Sequence, residues 1–125
     1  MDTTKLKNNK FFLGNYNELN DYKGWFVGDF MRDNELCKTN KFEILYKEHN
    51  AGDKLQAHYH KEKTELLIML EGKAKYLING NEVFLEHGNY LFIDVNNIIK
   101  GEFLEKSKIF AVHAPSIPTD KFLVE

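Results

Sequence analysis

The sequence has 125 residues, which fits one domain. Its apolar fraction of 42% and charged fraction of 29% are typical of a globular protein that needs no disulfide or structural metal to fold. The net charge is −2, with lysine and glutamate interspersed and no basic block, so the composition argues against nucleic acid as a partner.

The compartment is predicted to be the cytoplasm. Cys37 is the single cysteine and can form no intrachain disulfide, which suits a reducing environment. Residues 1–10 are polar and lack the apolar core of a secretory signal. The longest aliphatic run, Leu66 to Leu70, is far too short to span a bilayer, so no membrane partner is expected.

The first elements predicted along the chain are short. Residues 11–40 carry apolar clusters interrupted by glycine and are predicted to form short strands and turns that pack on the core. Phe42, Ile44 and Tyr46 then alternate with Glu43, Leu45 and Lys47, which is the period of a strand. A turn at 50–53 and an apolar run at 65–70, predicted to be a buried strand, follow.

A series of further short strands is predicted after Gly72. Asn79-Gly80 is a strong hairpin signal between two alternating segments. Short strands spaced by about ten residues indicate an all-β sandwich or barrel. The predicted organisation is one domain, with an N-terminal arm at 1–40, a barrel core at 41–118 and a tail at 119–125 outside the sheets.

Two histidines and a glutamate could converge on a metal ion. His58 and His60 are one residue apart, so on a strand both side chains point to the same face. Glu65 follows a polar segment suited to a turn, and a chain that doubles back there would bring it to the same interior. Two histidines and one carboxylate suit divalent Fe, Mn, Co, Ni or Zn. The alternative is an edge strand with two solvated histidines.

The segment from Gly52 to Gly72 resembles the first motif of the cupin superfamily. Five residues separate Gly52 from His58, four separate His60 from Glu65, and six separate Glu65 from Gly72. The resemblance implies a double-stranded β-helix, or jelly-roll barrel. It also implies that the two histidines and Glu65 bind a divalent metal at the mouth of this barrel.

The second cupin motif departs from the family pattern. Counted from Gly88, the place of the usual fourth metal ligand, a histidine, is taken by Ile99. His113, in the last predicted strand, is a candidate fourth ligand if its side chain points inward; otherwise it is a partly exposed histidine at a strand end. Four further side chains could line a pocket at the barrel mouth, namely Tyr46, Met69, Tyr76 and Phe92.

Three functions remain open on the sequence. The first is a metal-dependent enzyme that acts on a small organic molecule, such as a dioxygenase or an isomerase. The second is a module that binds a sugar or another small ligand without chemistry. The third is a metal-independent sugar isomerase or epimerase in which His58 or His60 is the general base.

Association into a homodimer is also expected. Leu66, Ile68 and Leu70 alternate with the set Glu65, Leu67 and Met69, which is predicted to point inward. If one set fills the barrel, the other needs a second apolar surface, which a partner subunit would provide. Resemblance to cupins also implies a dimer.

Overall fold

The computed structural model describes residues 11–19, 22–33 and 35–124. The predictions made for residues 1–10 lie outside these ranges. Within these ranges, the regular structure consists of ten strands and two short 3₁₀ turns, Tyr16–Glu18 and Tyr22–Gly24. The strands are β1 (Trp25–Val27), β2 (Glu43–His49), β3 (Lys54–Tyr59), β4 (Thr64–Glu71), β5 (Lys73–Ile78), β6 (Asn81–Glu86), β7 (Tyr90–Ile93), β8 (Ile99–Phe103), β9 (Ser107–Ala114) and β10 (Phe122–Leu123).

The strands form two antiparallel five-stranded sheets. The first sheet has the order β1-β2-β9-β4-β7 and the second has the order β10-β3-β8-β5-β6. Apolar side chains from the inner faces of both sheets form the core, which includes Leu67, Met69, Tyr76, Leu85, Ile99, Phe103 and Ile109. The expectation of an all-β double-stranded β-helix is confirmed.

Local sequence explains two of the connections between strands. Asn79 and Gly80 both have positive φ, at 51° and 84°, which is the backbone of the hairpin turn that joins β5 to β6. Gly72, between β4 and β5, has φ of 104°, and a Cβ there would lie 2.2 Å from Ser107 Oγ. The motif therefore ends on glycine because the start of β9 approaches its backbone closely.

The inward set predicted for β4 is confirmed. Glu65, Leu67 and Met69 are buried, whereas the alternating residues Leu66, Ile68 and Leu70 are half-buried on the outer face of the first sheet. Along the adjacent strand β7, Tyr90 is 70% exposed and Phe92 is 63% exposed. The outer face of β4 and β7 is thus an exposed apolar surface.

The C-terminal tail differs from the expectation that residues 119–125 lie outside the sheets. Phe122 and Leu123 form β10, which pairs with Tyr59 and His58 of β3. Asp120 is 4% exposed. The tail is therefore part of the second sheet and runs beside the histidine pair. Within the described ranges, no helix is long and apolar enough to cross a membrane.

Candidate metal centre and cavity

The structure brings His58, His60 and Glu65 together at one end of the barrel. His58 lies near the end of β3, His60 follows that strand, and Glu65 is the second residue of β4. All three are buried, and one potential ligand atom from each lies within 4.8 Å of the other two. The loop of residues 61–63 connects the two sheets here, so the group spans the opening between them.

A β-bulge aims the histidines inward. Leu55 pairs with Gly101 and His58 pairs with Ile99, so three steps along β3 match two steps along β8. The extra residue lies at Gln56-Ala57, and it changes which side chains face the interior. Without it, Leu55 and His58 would lie on opposite faces; with it, both line the same cavity.

The hydrogen bonds of both imidazoles leave one nitrogen free for a metal. His58 Nδ1 lies 2.8 Å from the carbonyl oxygen of Gln56, and His60 Nδ1 donates to the carbonyl oxygen of Asp120. With Nδ1 protonated, each Nε2 carries a lone pair. His60 Nε2 is buried and has no hydrogen-bond partner. Buried polar atoms rarely stay unpaired, so this orphaned atom fits a metal ligand.

Asp120 ties the C-terminal tail to the loop between the ligands. Its carboxylate accepts hydrogen bonds from the backbone amides of Lys61, Glu62 and Lys63 at 3.0, 2.8 and 2.9 Å. Its carbonyl oxygen also accepts the bond from His60. One residue of the tail therefore fixes both the loop and one imidazole. No pattern in the sequence indicates this role of Asp120, because only the pairing of β10 with β3 brings the tail here.

A row of three titratable side chains crosses the inner face of the first sheet. His113 on β9 pairs in register with Glu43 of β2 on one side and with Glu65 of β4 on the other. His113 Nδ1 lies 2.9 Å from Glu43 Oε1, and His113 Nε2 lies 2.5 Å from Glu65 Oε2. Glu43 also accepts from Lys63 Nζ at 2.5 Å and from Ser116 Oγ at 2.9 Å. All five side chains are buried.

The three buried histidines differ in the direction in which their pKa is shifted. Burial lowers the pKa of His58 and of His60, which favours the neutral imidazole that binds metal. Burial also acts to lower the pKa of His113, but hydrogen bonds to Glu43 and Glu65 outweigh it and raise that pKa. Both ring nitrogens of His113 face carboxylates, which favours the imidazolium, and Lys63, Glu43, His113 and Glu65 then form a buried chain of alternating charge.

The two glutamates of this row are held ionised. Burial acts to raise the pKa of Glu65, but the hydrogen bond and the charge of His113 outweigh it, so the pKa falls. Burial opposes the ionisation of Glu43 as well, yet hydrogen bonds from His113 and Lys63 lower its pKa to about 2. Glu65 therefore offers a carboxylate to a metal, while Glu43 is saturated by its own partners.

The group lies in a cavity of about 680 Å³. Tyr76, Leu67 and Phe103 belong to its apolar wall, and Trp25 lies against the site, with its ring centroid 5.2 Å from that of His113. A cavity of this volume, apolar with a few convergent polar groups, fits a small organic molecule.

Of the four residues expected to line the pocket, one lines the cavity and three lie elsewhere. Tyr76 lines it. Tyr46 has the opposite strand parity to Glu43, so it faces outward and owes its burial to Tyr16 and Phe110. Met69 lies in the core, and Phe92 points outward from β7, so neither lines the cavity.

The place of the usual fourth ligand is apolar. Ile99 lies directly across from His58 on β8 and is 1% exposed. His113 does point inward, but both its ring nitrogens contact carboxylates, and it is not one of the three residues whose ligand atoms converge. Of the remaining histidines, His49 stacks on Phe103 at the cavity wall and His87 is exposed in a turn.

No protein-family model matches the sequence, and no curated protein matches it. Solved structures do match. An uncharacterized conserved protein with a double-stranded β-helix domain from Klebsiella pneumoniae is 20% identical, with a TM-score of 0.64 over 70% of this chain and 73% of that one. Oxalate decarboxylase from Bacillus subtilis is 16% identical, with a TM-score of 0.60 over 68% of this chain and 24% of that one.

A third similar structure is a nucleoside dehydratase. Streptomyces Pac13 is 12% identical, with a TM-score of 0.63 over 70% of this chain and 71% of that one, and related structures hold uridine. At these identities the comparisons establish the fold alone. The chain has the double-stranded β-helix fold that the resemblance of its first motif to the cupins implied.

Proposed function

We propose that His58, His60 and Glu65 bind one divalent transition metal, and that the protein acts on a small organic molecule in the adjoining cavity. The observation that carries this proposal is the buried Nε2 of His60, which has no partner and belongs to a group of ligand atoms within 4.8 Å of one another. The pattern of one carboxylate and two neutral imidazoles suits Fe, Mn, Co, Ni or Zn.

The residues at this site have different roles. A metal held there would supply a Lewis acid that polarises an oxygen of the substrate. His113 holds a proton on Nε2 beside Glu65 and orients that carboxylate. Burial, together with the charge of Glu65, raises the pKa of Tyr76, so its phenol stays protonated as a hydrogen-bond donor. This arrangement suits a metal-dependent enzyme such as a dioxygenase or an isomerase.

Metal content tests the proposal. Protein purified without chelator is expected to carry about one divalent ion per chain. His58→Ala and Glu65→Gln remove a ligand each, so both variants should lose most of that ion. Elemental analysis, followed by titration of chelator-treated protein, measures the content and the affinity.

His87→Ala is the matched control, because His87 is exposed in a turn away from the cavity. It should bind as much metal as the wild type. Stoichiometric metal that survives both ligand substitutions would show that the ion lies elsewhere.

A second candidate is a metal-free protein that uses its own acid and base groups or only binds its ligand. The hydrogen bond of 2.5 Å between His113 and Glu65 favours it, because it occupies one carboxylate oxygen without any metal. The apolar Ile99 at the usual ligand place points the same way. Under this reading, His58 or His60 is the general base for a sugar isomerase or epimerase. Protein that takes up no metal on titration, yet turns over a sugar, would establish it.

A homodimer is the expected assembly, through the outer face of β4 and β7. Leu66 pairs with Phe92 and Ile68 pairs with Tyr90, so four apolar side chains lie side by side on this face. Strand β7 ends its sheet, and an exposed apolar edge of this kind is a pairing surface unless it is covered. Light scattering at micromolar concentration should give twice the chain mass. Phe92→Lys should give monomer, whereas Phe84→Lys, on exposed β6 of the other sheet, should not.

A further inference from the structure

The charged side chains of the cavity have a sign opposite to that of the whole protein. The chain carries a net charge of −2, yet the cavity lining holds four lysines and only two glutamates. Lys63 is buried in an ion pair with Glu43, and Glu65 is paired with His113. Three lysines are left over: Lys23, Lys47 and Lys121.

These three lysines, the mouth lysines, are exposed at the cavity lining, and none has an ion-pair partner among the described residues. They come from three separate parts of the chain, namely a 3₁₀ turn, strand β2 and the C-terminal tail, and all three line one cavity. Lys47 lies on β2 with the same parity as Leu45 and His49, so the sheet aims it at the cavity. Lys121 comes from the tail, directly after Asp120.

Lys23 is placed there by an uncommon backbone. Tyr22, Lys23 and Gly24 have consecutive φ values of 56°, 53° and 99°. A left-handed conformation is sterically unfavourable for residues other than glycine. Two such residues in succession persist only where the surroundings hold them, and such segments cluster at ligand-binding sites.

The same segment supplies aromatic rings to the cavity. Trp25 and Phe30 contact each other with ring centroids 5.8 Å apart, and Phe30 and Tyr22 do so at 5.6 Å. All three line the cavity. A ligand body that lies against these rings gains most if it is planar and apolar.

We propose that the ligand of this cavity is an organic anion with a planar, apolar body. Its anionic group, a carboxylate or a phosphate, lies among the mouth lysines, and its body lies against Trp25 and Phe30. A cluster of like charges at the mouth of a low-dielectric cavity also attracts the anion from solution. This proposal deepens the proposed function by naming the ligand class, but the lysines and rings do not depend on the metal.

Binding of a matched pair of probes tests the proposal. 3-Phenylpropionate and 3-phenylpropionamide have the same body and differ in charge. Trp25 is the only tryptophan and lines the cavity, so its fluorescence reports binding. Titrations of chelator-treated protein exclude binding of the carboxylate to a metal. We expect the anion to bind about tenfold more tightly than the amide, because each of the three lysines adds a modest ion-pair contribution.

Variants that remove lysine charges test whether the mouth lysines cause the preference for the anion. Replacing the three mouth lysines with glutamine should abolish the preference for the anion and leave amide binding unchanged. The matched control replaces Lys54, Lys75 and Lys100 with glutamine, since these lie on the second sheet outside the cavity lining and change the net charge equally. The control should keep the preference.

Two results would overturn the proposal: equal affinity for anion and amide in the wild type, or an unchanged preference after loss of the mouth lysines. Phenyl phosphate, titrated in parallel, tells which anionic group fits better. Uptake of metal by the same chelator-treated samples is titrated separately. A lysine-dependent preference for the anion in protein that takes up no metal would support the anion site and contradict the metal centre. Metal uptake by protein that shows no preference for the anion would support the metal centre and contradict the anion site.

Discussion

Glu43→Ala is expected to lower the free energy of unfolding by about 3–5 kcal/mol, the usual effect of removing one partner of a buried ion pair. Glu43 is 2% exposed and accepts hydrogen bonds from Lys63, His113 and Ser116. Its removal leaves the charge of Lys63 in the interior without its anion and leaves His113 with Glu65 as its remaining carboxylate partner. Urea denaturation followed by circular dichroism measures the change.

Glu86→Ala is the control for this variant. Glu86 pairs with Lys73 at 3.1 Å, but both side chains are substantially exposed. Removal of such a surface pair should cost no more than about 1 kcal/mol. A second variant tests the cause: combining Glu43→Leu with Lys63→Met removes both charges and should recover part of the loss. If Glu43→Ala loses no more stability than Glu86→Ala, the buried chain of charges does not hold the fold.

The pH dependence of stability gives an independent readout of Glu43. The folded-state pKa of about 2 lies below the ordinary value of 4.5, so the unfolded chain takes up the proton first as the pH falls. The stability that this carboxylate contributes is therefore complete above pH 4.5 and is lost between pH 4.5 and pH 2. Near neutral pH, the free energy of unfolding of the wild type should exceed that of Glu43→Gln by about 3 kcal/mol. This difference should disappear in acid. A difference that does not narrow would contradict this assignment.

Local patterns explain why most of the fold could be predicted from the sequence. The alternation of apolar and polar residues in β2 and β5 marks strands by itself, and Asn79-Gly80 marks its hairpin without reference to the rest of the chain. The motif from Gly52 to Gly72 identifies the three converging residues because their spacing is fixed within two strands that are consecutive in the sequence. These signals depend on residues close in sequence.

Features that depend on strand order could not be predicted. The contact of Glu43 with His113 arises because β9 lies between β2 and β4, which no local pattern indicates. The bulge at Gln56-Ala57 depends on the register with β8. Tyr46 shows what an alternating pattern cannot predict. Such a pattern tells which residues share a face of the strand, but not which face points into the barrel. Tyr16 from the arm covers Tyr46 and buries it on the outside.

Asp120→Asn is expected to weaken metal binding about tenfold or more, as loss of a group that orients a metal ligand usually does. The carboxylate of Asp120 holds three amides of the loop at 61–63, and this contact keeps its carbonyl oxygen against His60 Nδ1. Asparagine has the same shape, but it loses the negative charge and has only one acceptor oxygen. The loop and the tail should then separate, and the imidazole of His60 should lose its fixed orientation.

Asp53→Asn is the matched control for the Asp120 variant. Asp53 also uses its carboxylate to bind a backbone amide, that of Asn50 at 2.9 Å, but in the turn before β3 and not beside His60. Both variants should lose some stability, because each gives up hydrogen bonds to a charged acceptor. Only Asp120→Asn should weaken metal binding, as measured by competition between the protein and a chromophoric chelator for Zn²⁺. Equal metal affinity in the two variants would mean that the tail supports the sheet alone; a selective loss would make the C-terminal tail part of the metal centre.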